Sequence, residues 1–279
     1  MNGPRVTLRE NVVFGHAGGR ELRADVFIPP GLEPGQRVPA VVLLHGGAWI
    51  VGDPRQLRGY GFLLGREGLV CIAPEYRLAK SADPSTRWPA QLHDVKAAVR
   101  WLRANAEEFH VDPDRIVASG NSAGSHLALM LAATGDIAEL EGESGSAGFS
   151  SALQGVVSLY GISRVAKGSD MLADAVDKLI GRDSPASVFA SASPIGLVGT
   201  HWPPTVLMHS NLDDLVPVRQ TIDLYEALRA VGVSCELHLY DAQPHAFDAE
   251  PRLGREAASL ILSFVRRYLP DPAPATEAT

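Results

Sequence analysis

Two cysteines in 279 residues, Cys71 and Cys235, are too few for a disulfide framework. Each sits inside an apolar run, "LVCIAPEY" and "VSCELHLY", and reads as a small buried hydrophobe rather than half of a bridge. Basic charge is also scarce: 25 Lys and Arg against 32 Asp and Glu leave a net −7. That excludes an electrostatic footprint for nucleic acid or an anionic membrane. No apolar run approaches the roughly 18 residues of a transmembrane helix. The start, "MNGPRVTLRENVVF", has no apolar signal-peptide core, so a cytoplasmic protein is expected. There is no C-x-x-C, no H-E-x-x-H and no carboxylate cluster at metal-ligand spacing, so neither a metal nor a cofactor is expected.

What is present is the composition of an ordinary globular protein, 46% hydrophobic and 20% charged. Short β-branched runs alternate with helical patterns, which predicts an α/β fold with a mostly parallel sheet and helices on both faces. Residues 5–14 and 21–29 are joined by only "GHAGGR", too short for a crossover, and predict an antiparallel opening hairpin. Core strands are expected at 38–45, 68–76, 114–120, 153–161, 203–210 and 233–242, several of them continuously apolar as in strands buried on both faces. Helices are expected within 87–109, 122–135, 216–232 and 252–269, the second and third ending in a glycine suited to a C-cap. A single domain over 1–269 accounts for this pattern. Residues 162–202 form either a small lid or an elaborated crossover. The acidic, Gly/Ser-rich stretch 139–151 reads as a mobile surface loop, and 270–279 as a flexible tail.

"GNSAG" (120–124) fits G-x-S-x-G and stands between a strand and a helix. A serine on so sharp a turn has its hydroxyl exposed above the sheet, with glycines relieving the crowding on either side. "LLHGGAW" (43–49) ends another strand with a glycine pair. Tight backbone there aims N–H groups at a developing oxyanion, together with the N–H of Ala123 at a helix start. Ser122 needs a base. Among nine histidines, His245 in "DAQPHAFDAE" follows the last strand in a small-residue loop and suits that role. His209 reads as a packed neighbour, His126 as core, and His45 as a brace for the glycine loop. The base in turn needs an acid between serine and histidine in chain order, and "HSNLDDLVP" (209–217) supplies Asp213 and Asp214. On physical grounds both stay open, Asp214 having the alternative task of capping the following helix.

In the order "HGGAW", "YRLA" (76–79), "GNSAGSHLA", "SASP" (191–194), "DDLVP" and "PHAF", the chain from about residue 10 to 268 resembles the α/β-hydrolases. It is most similar to the esterase groups with H-G-G-x-W and G-x-S-A-G: hormone-sensitive-lipase-like esterases and bacterial feruloyl and acetyl esterases. The resemblance implies an α/β-hydrolase fold. It selects Asp213 through D-x-x-V-P, matches His245 to H-x-F, and carries the oxyanion donors to Gly47, Ala48 and Ala123. Two departures are Ser210, where a glycine usually follows the histidine, and Ala48, in place of a third glycine; neither removes a backbone N–H. Only about 37 residues precede the first core strand, which leaves little room for a helical cap and favours the shorter feruloyl/acetyl-esterase architecture. The implied activity is hydrolysis of small or short-acyl carboxylic esters by a Ser122-His245-Asp213 triad through an acyl-enzyme. A small-molecule ester is the expected partner, and a monomer or homodimer the expected state. Trp49, Tyr160 and Trp202 are candidate pocket walls. Alternatives are an amide or formamide hydrolase and, in another class, a non-catalytic binding protein on the same fold.

Overall fold

The computed structural model describes residues 5–135, 137–168 and 172–270. Apart from Pro270, the expected tail lies outside them. Eight strands form one sheet: β1 (Thr7–Ala17), β2 (Arg20–Ile28), β3 (Val38–Leu44), β4 (Val70–Pro74), β5 (Val111–Asn121), β6 (Gly155–Leu159), β7 (Thr205–Ser210) and β8 (Cys235–Tyr240). Their order across the sheet is β1-β2-β4-β3-β5-β6-β7-β8. The hairpin β1-β2 is antiparallel and joins β4 antiparallel; every later pairing is parallel. Each predicted strand is present, trimmed or extended by a few residues.

The apolar strands are buried on both sides because helices cover both faces. Along β3, Ala40, Val42 and Leu44 face α2 (Ala90–Ala104), α3 (Ala123–Ala133) and α6 (Arg219–Ala230). Val41 and Leu43 face α1 (Arg58–Arg66) and α7 (Pro251–Tyr268). The α7 start is strongly specified: Pro251 occupies the first turn and the Glu250 carboxylate accepts from the N–H groups of Arg252 and Leu253 at 3.0 and 2.9 Å. One helix absent from the sequence expectation is α1. Its "RGYGFLLGR" carries three glycines, poor helix formers, yet packing demands two of them. A Cβ on Gly61 would lie 2.6 Å from the Phe27 ring, and one on Gly65 2.9 Å from Val6.

The described part of 162–202 contains α4 (Ala173–Ile180) and α5 (Ala186–Ser191) and packs on the α2–α3 side. The Trp88 indole donates to Ser191 Oγ at 3.1 Å, and the N–H of Val165 to Ser193 Oγ at 2.9 Å. The loop 139–151 departs from expectation. Instead of standing free, it is tied to α2 by Glu141, which pairs with the buried Lys96 at 2.6 Å and with Arg100. Arg103 adds a bond to the Ser150 carbonyl. Such partners from another element are invisible in a local reading of Gly and Ser content. No described helix is long and apolar enough to cross a membrane.

Candidate active site

The carboxyl ends of β3, β5, β6, β7 and β8 meet at one edge of the sheet, the edge where parallel α/β sheets place ligands. At the end of β5, Ser122 adopts φ 52°, ψ −119° before α3 begins, a left-handed conformation that costs energy for a residue with a Cβ. Its N–H is anchored on the Leu159 carbonyl of β6 at 3.0 Å. The flanking glycines serve sterics: a Cβ on Gly124 would sit 2.0 Å from the Leu44 carbonyl oxygen, and one on Gly120 2.4 Å from the Gly124 backbone. G-x-S-x-G is therefore required here by the closeness of β3, β5 and α3.

His245, in the loop after β8, reaches over the edge and places Nε2 3.0 Å from Ser122 Oγ. Its Nδ1 lies 2.7 Å from Asp213 Oδ2. An ionised carboxylate only accepts, so Nδ1 carries the proton and Nε2 is left to accept from the serine hydroxyl. The Tyr160 ring packs edge-on against the imidazole at 4.7 Å.

Asp213 and Asp214 separate clearly. Asp214 is exposed and caps nothing; the residue before α6 is Val218, without a side-chain cap. Asp213 has a buried carboxylate whose Oδ1 accepts from the N–H groups of Leu215 and Val216 at 3.0 and 2.8 Å. Its Oδ2 faces His245 and also His209 Nε2 at 3.2 Å. Burial alone would push this carboxyl up, but the bonds from His209, His245 and Val216 win and hold it well below the usual range. His209 is itself fully buried, with Nε2 2.9 Å from the Val216 carbonyl and Nδ1 2.6 Å from Thr221 Oγ1. Two acceptors at Nε2, the Val216 carbonyl and Asp213, place a proton there, so this nitrogen donates toward Asp213. His209, a packed neighbour by its sequence, thus touches the candidate acid itself.

The glycine loop turns at Gly47, whose φ of 119° and 2.1 Å virtual Cβ contact with the Val51 carbonyl admit no side chain. Ile50 and Val51 N–H groups close the turn on the Gly47 carbonyl, and among the described residues no backbone acceptor takes the Gly47 or Ala48 N–H. The N–H of Ala123 opens α3 and so has no intrahelical acceptor. His45 braces the loop: its Nδ1 is 2.8 Å from the Gly46 carbonyl, and Tyr76 stacks on it while donating to its carbonyl at 2.9 Å.

Gly47, Ala48, Ser122, His245 and Tyr160 line one cleft of about 510 Å³. A larger hollow of about 1000 Å³ between the β1-β2 turn, α2 and the 138–144 loop lies away from these strand ends. Two expected pocket walls are corrected. Trp202 lies in the core, its indole donating to Thr205 Oγ1 at 3.0 Å. Trp49 is fully buried, donates to His126 Nδ1 at 3.1 Å, and borders a separate cavity of about 120 Å³. Both indoles lie inward because their N–H groups find buried partners there. No described residue of 162–202 lines the Ser122 cleft. Tyr60, Leu215 and Asp248 line it without having been singled out in the sequence; the position of Asp248 three residues after His245 was the available signal.

His126 is packed under the site with Nε2 2.7 Å from the Ala192 carbonyl. Burial lowers its pKa from 6.5 to about 4 against the smaller raising effect of that bond. Between those values the unfolded chain binds a proton that the folded protein refuses, so stability should fall as pH drops from 6.5 toward 4, by about 3 kcal/mol in all. His126→Gln, which can keep both hydrogen bonds, is expected to flatten thermal midpoints measured from pH 7 to 4.5.

The chain matches the BD-FAE family over residues 24–228. It is 32% identical to Esterase LipQ of Mycobacterium tuberculosis over 89% of this chain and 60% of that protein. To Esterase LipC of the same organism it is 33% identical over 72% and 51%. The chain thus spans just over half of the length of these curated relatives. Among solved structures, the propionate-bound thermophilic esterase Est2 of Thermogutta terrifontis superposes with TM-score 0.77 at 25% identity, covering 98% of this chain and 97% of that one. The folds shared with such esterases are α/β-hydrolase folds. The family match ends before His245 but includes the glycine loop, Ser122 and Asp213, and by it the chain belongs to the BD-FAE family.

Proposed function

We propose that this chain is a serine carboxylester hydrolase acting on small or short-acyl esters, with its chemistry carried by a single domain over 1–269. The observation that carries the reading is the unbroken line from Asp213 through His245 to Ser122 Oγ, at 2.7 and 3.0 Å, on a strained elbow facing an open cleft. Ser122 Oγ attacks the ester carbonyl while His245 Nε2 takes its proton. The N–H groups of Gly47, Ala48 and Ala123 hold the oxyanion. His245 then protonates the departing alcohol, and a water activated by the same ring releases the acid from the acyl-enzyme. Esterase names among the relatives support the ester class, and the propionate in Est2 supports a short acyl group. The segment 162–202 serves as an elaborated crossover in this reading, since its described part packs beside α2 and α3.

A panel of p-nitrophenyl esters of increasing acyl length, run beside N-formyl aromatic amines, tests the assignment. Turnover of acetate to butyrate esters is expected; turnover of the formamides alone would replace it with the formamidase alternative.

His209 acts as a positioning residue in this scheme. His209→Ala removes a donor from the charged Asp213, a bond of about 1.5 kcal/mol, and should lower kcat roughly tenfold at unchanged KM. His209→Gln, retaining an N–H, should restore much of the rate. A purely structural role would lower the thermal midpoint and leave kcat per folded enzyme in place.

A further inference from the structure

Besides the triad, the Ser122 cleft carries one charged side chain, Asp248, and no lysine or arginine lines it among the described residues. Asp248 is half-buried. Its Oδ2 accepts from Tyr60 OH at 2.8 Å and its Oδ1 from Tyr160 OH. Burial first, then the charge of Asp248 and the hydrogen bond to it, push both phenols up, so both stay donors. The tyrosines come from α1 and from the end of β6, and they fix the carboxylate from two sides. They do not saturate it: each oxygen offers two acceptor positions and has given one to a tyrosine. The cleft it lines is mainly apolar, with Ile50, Val51, Leu57 and Leu215, and carries the neutral amides of Gln56 and Asn121 as well. A fixed, partly desolvated acceptor in an apolar wall discriminates for a donor, because a substrate without one leaves it less well solvated.

We propose that Asp248 is a specificity subsite that accepts a hydrogen bond from a hydroxyl group on the ester substrate and repels esters bearing a carboxylate. This rests on the ester-hydrolase reading of the same cleft. The hydroxyl belongs either to the alcohol or to the acyl part, and the two are separated by experiment.

The full chain and Asp248→Asn are assayed for kcat/KM on five esters: propyl butyrate, 2,3-dihydroxypropyl butyrate, ethyl butyrate, ethyl 3-hydroxybutyrate and monoethyl succinate. The wild type is expected to favour one hydroxylated ester over its plain counterpart by about tenfold, and which one identifies the end that Asp248 reads. Monoethyl succinate should be the poorest substrate. In Asp248→Asn the hydroxyl preference should fall at least about threefold, since a neutral acceptor is the weaker one. Relative to ethyl butyrate, monoethyl succinate should gain about tenfold, an improvement that misfolding cannot produce. Equal wild-type rates on both hydroxylated and plain pairs would overturn the subsite while leaving the esterase reading intact. A uniform loss on all five esters in Asp248→Asn would reduce Asp248 to a clamp holding Tyr160 beside His245. No turnover of any ester by the wild type would overturn the esterase reading and the subsite with it.

Discussion

Ser122→Ala is expected to lower ester turnover by about 10⁶-fold and to abolish covalent labelling by a fluorophosphonate probe that marks the wild type. The size of the loss follows from the site's construction. Among the described residues, His245 Nε2 has one hydroxyl within reach, Ser122 Oγ at 3.0 Å, and no other side-chain hydroxyl lines the cleft beside it except the tyrosines committed to Asp248. Alanine carries the same Cβ through φ 52°, so the elbow, the glycine loop and the cleft should persist. Residual catalysis would come from the oxyanion donors and binding alone. A variant that kept a tenth of the wild-type rate would refute the acyl-enzyme mechanism. Circular dichroism and thermal midpoint should match the wild type, separating lost chemistry from a lost fold.

Asp213→Asn should lower kcat by about 10⁴-fold, while Asp214→Asn stays within about twofold of wild type. The donors around residue 213 explain why an isosteric change is so costly. Oδ1 accepts two backbone N–H groups, from Leu215 and Val216, which will hold the amide oxygen of an asparagine in that position. Its NH2 is then forced to the Oδ2 side, facing His245 Nδ1 and His209 Nε2. Both rings present donors there. His245 escapes the clash by moving its proton to Nε2, the tautomer that cannot accept from Ser122. Asp214 points away from this network and is exposed, so the same change there meets only solvent and a small neighbouring cavity. The reverse ranking of the two variants would overturn the acid assignment.

Much of the scaffold was legible because the strands are apolar on both faces and cannot be mistaken for loops; "VPAVVLL" and "PPTVLMHS" announce themselves. The helix α1 was not, because Gly61 and Gly65 satisfy the Phe27 ring and Val6 rather than helix propensity. The elbow was readable for a related reason: steric demands on Gly120 and Gly124 leave a short local signature. The roles proposed for His209 and Tyr60 had no local signal, and Asp248 had only its place three residues after His245, since such roles arise where side chains from separate elements converge. Trp49 and Trp202 misled because a large aromatic ring suits a core and a pocket wall equally, and only the partner of the indole N–H decides. For Asp213 and Asp214, adjacent and chemically identical, local reasoning left a tie that the family spacing broke; in the structure they differ through burial and four hydrogen bonds.

The base of the proposed triad hangs from the last strand of the sheet. Among the described residues β8 pairs with β7 alone, and His245 lies 123 positions from Ser122. A nascent chain therefore carries Ser122 and its anchor on β6 well before it carries the proposed base, and the proposed triad is complete only once the segment after β8 has been synthesised and docked. On heating, an edge strand with one neighbour opens before the centre of the sheet does. Activity should consequently vanish at a lower temperature than the bulk helical signal, making turnover an early reporter of fraying and a late reporter of folding.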